Sequence, residues 1–244
     1  MKRRFLLPAI AVGVIAVLGL GAGVAGAANE CRGLQTCLPV PGPWVAIPAP
    51  APGAPASTAV WQLRCPLRNY IVAGIDAQVT ERSIDVSVRG ENGAPVSPGV
   101  TTRRELLFTA VYTGGARRAT AFRPFLGCIP VSGGGGRGET SVRRTAAFTP
   151  TRPLERRVTE RRLVSGASTT VVGRCPAGTR LLGADHAFGF RVDDEPGSSL
   201  LRAVRVRRSV AGRAVTAVGT VLPSVPARLR VLLQVHAVCT RVTR

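Results

Sequence analysis

Along most of the chain, hydrophobic and polar residues alternate with period two. That spacing puts one face of a β-strand in a core and the other in solvent. Ile84, Val86 and Val88 alternate with Ser83, Asp85, Ser87 and Arg89, and Val204 and Val206 alternate with Arg205 and Arg207. Towards the C-terminus, Leu229, Val231, Leu233, Val235, Ala237 and Cys239 share one parity and are expected to be buried. Arg228, Arg230, Gln234 and His236 share the other parity, interrupted by Leu232 and Val238, and read as an outer face. The pattern predicts strands at 58–64, 70–79, 83–89, 105–113 and 120–128, and again at 169–174, 180–190, 201–207, 213–222 and 228–239. A further strand is expected at 140–149, and for 155–162 the readings are a short helix or an exposed strand, with Pro150 and Pro153 before it and Ser165-Gly166 after it favouring extended chain. Asn92-Gly93 marks a turn, 95–99 a loop, and Pro124 an edge position or a bulge in its strand.

A longer repeat overlies this alternation. Arg64-Cys65-Pro66 and Arg174-Cys175-Pro176 each lead, after four variable residues, to two large aliphatics, two small residues and an aspartate. The aspartates are Asp76 and Asp185, and the first copy carries one additional residue, placed at Ile75. Cys128 follows Cys65 by 63 positions and Cys239 follows Cys175 by 64. The expected fold is therefore all-β: two tandem similar antiparallel β modules, sandwich-like, each closed by a disulfide. The alternative is one sandwich that both copies complete together. The modules span 57–130 and 167–244, joined by a Gly-rich and Arg-rich connection at 131–166. Ahead of them, 29–56 forms a small cysteine loop and a proline-rich arm, with Trp44 expected to pin the arm to a sheet.

Residues 1–28 have the form of an export signal. Lys2, Arg3 and Arg4 precede an apolar run, and Ala25-Gly26-Ala27 supplies a cleavage pattern. The other reading of this stretch is an uncleaved membrane anchor. Export to an oxidising compartment turns six cysteines into three disulfides. The repeat selects Cys65–Cys128 and Cys175–Cys239, which leaves Cys31–Cys37. In the chain-entropy account, closing each long loop is worth about 4 kcal/mol. No Cys-x-x-Cys or His-x3-His spacing is present, so zinc is not expected.

Charge changes the picture more than composition does. With 45% hydrophobic but only 5% aromatic residues, the core must be mostly Val, Leu, Ala and Ile. The formal net charge is +20, or about +17 without Lys2, Arg3 and Arg4, and Lys2 is the only lysine. Such an excess of arginine implies attraction to anionic surfaces and does not by itself specify nucleic acid. The expected partners are anionic cell-surface polymers, met by Arg205, Arg207, Arg228 and Arg230 on the outer faces of neighbouring strands. Membrane contact is expected only through an uncleaved N-terminal segment. A second reading is a structural or interaction module whose arginines are incidental. A third is a hydrolase around His186, with Asp185, Ser198 or Ser199, and the acids 193–195. There is no Gly-x-Ser-x-Gly, the run Gly133 to Gly136 lacks the Gly-Lys-Ser/Thr ending of a phosphate loop, and Asp193-Asp194-Glu195 has no EF-hand pattern. A non-enzymatic protein without metal or cofactor is the expectation.

The stretch Cys175-Pro176-Ala177-Gly178-Thr179, with Leu181-Leu182-Gly183-Ala184 and the closing His236-Ala237-Val238-Cys239, resembles a recurrent Cys-Pro-x-Gly domain of secreted actinobacterial proteins. The likeness covers most of 167–240 and, more loosely, 57–130, where Cys65-Pro66-Leu67-Arg68 lacks the glycine. It implies export and a disulfide-closed β-module, and it transfers no catalytic residue.

Overall fold

The structure is a computed structural model that describes residues 30–34, 36–50, 56–90, 104–114, 119–131 and 154–241. The export signal expected at 1–28, the turn expected at Asn92-Gly93, the loop expected at 95–99, the glycine run at 133–136 and the strand expected at 140–149 lie outside the described residues. The elements of the first half are β1 (Leu38–Pro41), β2 (Trp44–Ile47), β3 (Ser57–Arg64), β4 (Tyr70–Val79), β5 (Ile84–Gly90), β6 (Glu105–Tyr112) and β7 (Thr120–Pro130). Then follow β8 (Leu154–Leu163), β9 (Ser168–Arg174), β10 (Thr179–Arg191), α1 (Ser198–Arg202), β11 (Val204–Ala211), β12 (Ala214–Val221) and β13 (Arg230–Arg241). The fold is all-β, and all the paired strands run antiparallel.

One seven-stranded sheet runs β1-β7-β2-β10-β13-β8, with β4 also on β7. Two three-stranded sheets, β3-β6-β5 and β11-β12-β9, flank it. The three form layers, with the large sheet in the middle. On β2, Val45 and Ile47 pack with Trp61, Phe108 and Leu126 on the β3 side. Trp44 and Ala46 pack with Val215, Ala217 and Phe190 on the other side. Successive strand residues point to opposite faces, so the two cores lie on opposite faces of the large sheet. This gives all four residues of β2 a partner layer, and all four are buried. The expected arm is thus a central strand, with Trp44 buried against the second half. β2 pairs with β7 through Val45–Phe122 and with β10 through Val45–Gly189, so the two halves share one sheet.

Each half nevertheless repeats the same wiring. β4 pairs with β7 as β10 pairs with β13. β3-β6-β5 matches β9-β12-β11. Cys65 N–H donates to Arg104 C=O, and Cys175 N–H donates to Arg213 C=O. A bulge falls between Val72 and Gly74, opposite Cys128 and Gly127, and its counterpart falls between Leu181 and Gly183, opposite Cys239 and Val238. This register equates Val72 with Leu181 and Asp76 with Asp185. The extra residue of the first copy therefore sits not at Ile75 but in the turn before β4, where irregular backbone absorbs length without shifting a side chain to the wrong face. Disulfides join Cys65 to Cys128 and Cys175 to Cys239, so each flanking sheet is tied covalently to the large one. The third, Cys31–Cys37, closes a local loop. It sits against β4 and β7, where the Glu30 carbonyl lies within 1.5 Å of the place a Cβ on Gly74 would take.

Three local expectations need correction. The parity of β13 does not separate core from solvent, because Gln234 and His236 are 4% and 0% exposed. A strand in the middle layer is covered on both faces. Residues 201–207 do not form one strand, since α1 occupies Ser198–Arg202 and β11 begins at Val204. Pro124 lies inside β7 rather than at an edge or bulge. Its C=O accepts from Gly42 N–H on the β1 side, so its missing N–H falls in the break between β1 and β2, where no ladder partner is due.

Candidate functional site

The middle layer is incomplete at one place, and a cleft of about 570 Å³ opens there. One wall is β1, another is β3 from Trp61 to Arg64, and the floor is made by Val158, Glu160, Gln234 and Arg191 of β8, β13 and β10. Among the described residues both wall strands are edges, since there β1 pairs only with β7 and β3 only with β6. The β3 edge is partly satisfied by a side chain. Gln234 Oε1 accepts from Gln62 N–H at 3.0 Å, and its Nε2 donates to Gln62 C=O at 2.9 Å. The same Nε2 donates to Glu160 Oε2 at 2.7 Å, and Gln62 Nε2 donates to Glu105 Oε2. One amide thus stands in for a neighbouring strand and fixes the roof of the cleft over its floor.

The β1 edge is different. Gly42 N–H bonds to β7, and alternate residues of a ladder direct both backbone groups the same way. Leu38 and Val40 therefore face β7, while Pro39 and Pro41 face the cleft. Proline has no N–H, so this edge offers the cleft only carbonyl acceptors and cannot template another strand.

Beside the cleft floor lies a buried polar group. His236 Nδ1 is 3.5 Å from Arg156 Nη1, and Arg156 lies 3.8 Å from Asp185. Burial above all, then the charges of Arg156 and His186, push the His236 pKa down to about 3. Burial also lowers the Arg156 guanidinium, with Asp185 acting against it. His186 is on the opposite face of β10, because it neighbours Asp185 in an extended strand. Its pKa is lowered by burial and then by Arg208, with Asp185 pulling the other way. Arg208 itself donates to the Ala184 C=O. Among the described residues the hydrolase candidates are not brought together: Asp185 points away from the His186 face, Ser198 and Ser199 open α1, and His186 Nδ1 has no hydrogen-bond partner there. Of the aspartates shared by the repeats, Asp76 accepts from Ala77 N–H through Oδ1 and Asp185 lies beside Arg156.

The four arginines expected to form one face are divided. Arg205 and Arg207 stand on β11, opposite Thr220 and Val218, on the outside of a three-stranded sheet. Arg230 begins β13 in the large sheet, and Arg228 is in the turn before it. All four are exposed. No family model matches this chain, and neither does any curated protein. What the sequence did not reveal is the set that joins Arg230. Arg191 lies directly opposite it on β10, and Arg162 lies opposite Leu232 on β8, so three arginines from adjacent strands share one face. Spacing alone carries no trace of this, because register sets it.

Proposed function

We propose that this is an exported, non-enzymatic binding protein that attaches to anionic polymers of the cell envelope through exposed arginines. The observation that carries this reading is the scarcity of counter-charges. Among the described residues, only Arg64, Arg156 and Arg157 lie within ion-pair distance of a carboxylate. Arg161, Arg162, Arg191, Arg205, Arg207, Arg228 and Arg230 are exposed with no such partner. Three disulfides favour an oxidising compartment, and the N-terminal segment supplies the route to it. The matching closure of both halves supports the likeness to the secreted Cys-Pro-x-Gly modules.

Co-sedimentation of the oxidised protein with isolated envelopes tests this. Between about 0.01 and 0.15 M salt the Debye length falls from about 30 to about 8 Å, and bound protein is expected to drop at least about tenfold. Replacing Arg205, Arg207, Arg228 and Arg230 with Ser should weaken low-salt binding further. Absence of binding at low salt would rule the reading out.

A further inference from the structure

Arg191 and Arg230 are a cross-strand pair of like charges, an arrangement that destabilises a sheet unless something neutralises it. Arg162 is the diagonal neighbour of Arg230 on the same face, with β13 between it and Arg191, and is held by a 3.2 Å hydrogen bond from its Nη2 to the Ala227 C=O. Two of the nearby acids have other partners, and Asp194 and Glu195 lie exposed just beyond the end of β10. Glu160 accepts from Gln234, and the Asp193 carboxylate acts on Arg123, whose Nη1 donates to the Asp193 C=O at 2.9 Å. Arg191 is also close enough to Arg123 to disfavour its charge. Three guanidinium groups therefore share one face at this end of the large sheet. Arg191 belongs to the cleft lining, so this end is also the mouth of the cleft.

We propose that Arg191, Arg230 and Arg162 form a binding site for a phosphoryl group carried on a hydroxylated body, such as a polyol or sugar phosphate, with that body lying in the adjoining cleft. The inference rests on the anionic-polymer reading and narrows it to one chemistry and one place. A carboxylate presents two coplanar oxygens that a single guanidinium fork satisfies. Phosphoryl oxygens diverge, and guanidinia arriving from three strands can meet them separately. Inside the cleft the carbonyls of Pro39 and Pro41 and the Glu160 carboxylate supply acceptors for hydroxyl donors. Leu38, Val40, Leu63 and Val158 provide apolar wall for carbon.

The test is calorimetric titration of the oxidised protein at constant ionic strength with glycerol 3-phosphate, poly(glycerol phosphate) and polyglutamate. Saturable binding of at least one phosphate compound is expected. It should weaken at least about tenfold in Arg191→Gln and in Arg230→Gln. In the Arg205→Gln/Arg207→Gln control it should change less than about twofold, because those residues lie on another sheet. Tighter binding of the polymer would identify a polymeric source of the phosphoryl group, and tighter binding of the monomer a small metabolite; either supports the site. Glycerol 3-phosphate should also raise the melting temperature of the wild type and not of Arg191→Gln, which by itself relieves repulsion and should fold at least as well. Equal weakening in the control variant, polyglutamate binding as tightly, or no saturable binding of either phosphate compound would overturn the proposal. Envelope binding by the wild type without saturable phosphate binding would remove this site and leave the general reading standing. Phosphate binding without envelope binding would do the reverse.

Discussion

His236 and Phe125 occupy equivalent places, each the third residue before its closing cysteine and each opposite the repeat's aspartate. The exchange of a phenyl ring for an imidazole makes the second half sensitive to acid. In the unfolded chain the imidazole titrates near its ordinary value of about 6.5. In the fold it titrates only at about 3. Between those values the unfolded state holds more protons, so stability rises with pH across this window and is fully present above it. Acidification below the ordinary value should cost roughly 1 kcal/mol per pH unit from this one site. Urea unfolding of wild type and His236→Phe from pH 7 down to pH 4 measures the difference, and an undiminished acid slope in the variant would refute a neutral buried imidazole. Gly74 shows a second kind of asymmetry between the copies. A Cβ there would collide with the Glu30 carbonyl, whereas at Gly183 the nearest atom is a Val238 carbon at 3.7 Å. The sequence displays a shared small residue at both places and hides that only the first is obliged to be small.

At the scale of elements, most strands were legible because period two survives wherever one face meets solvent. β4 was expected at 70–79 and spans Tyr70–Val79, and β12, expected at 213–222, spans Ala214–Val221. Legibility fails where burial is two-sided. Gln234 looks like an exterior residue of an amphipathic strand, yet β3 lies over it and its amide is the strand-edge substitute that closes the cleft roof. α1 was missed because five residues cannot display a helical period. The role of Gln234 is testable. Gln234→Leu keeps the bulk but leaves the Gln62 N–H and C=O without that partner, at an expected cost of about 2 kcal/mol. Chemical denaturation measures this, and a loss below about 0.5 kcal/mol would mean that water or another group serves the edge equally well. The arginine cluster at the cleft mouth belongs to this scale too. Arg191 is one charged residue at a strand end until pairing sets it against Arg230.

For the whole molecule, the sequence pattern led to the expectation of two similar halves, and the way the halves join was not visible in it. Two copies with identical internal wiring suggest two bodies side by side, but Trp44–Ile47 converts them into one sheet by filling a slot between β7 and β10. Nothing in those four residues announces this, since a short apolar run beside prolines reads as readily as a pinned arm. The slot has a consequence for how the molecule reaches its native state. Val45 must find both Phe122 and Gly189, so the sheet waits on segments far apart in the chain, a topology that folds slowly. Until β2 arrives, β7 and β10 present unpaired edges separated by the width of one strand. Another molecule carries the same segment, and at high concentration it can arrive first. Refolding should therefore yield exchanged dimers whose fraction grows with protein concentration, and size-exclusion chromatography of samples refolded across a dilution series would show this. A fraction of dimer independent of concentration would mean that the chain's own β2 always wins the race.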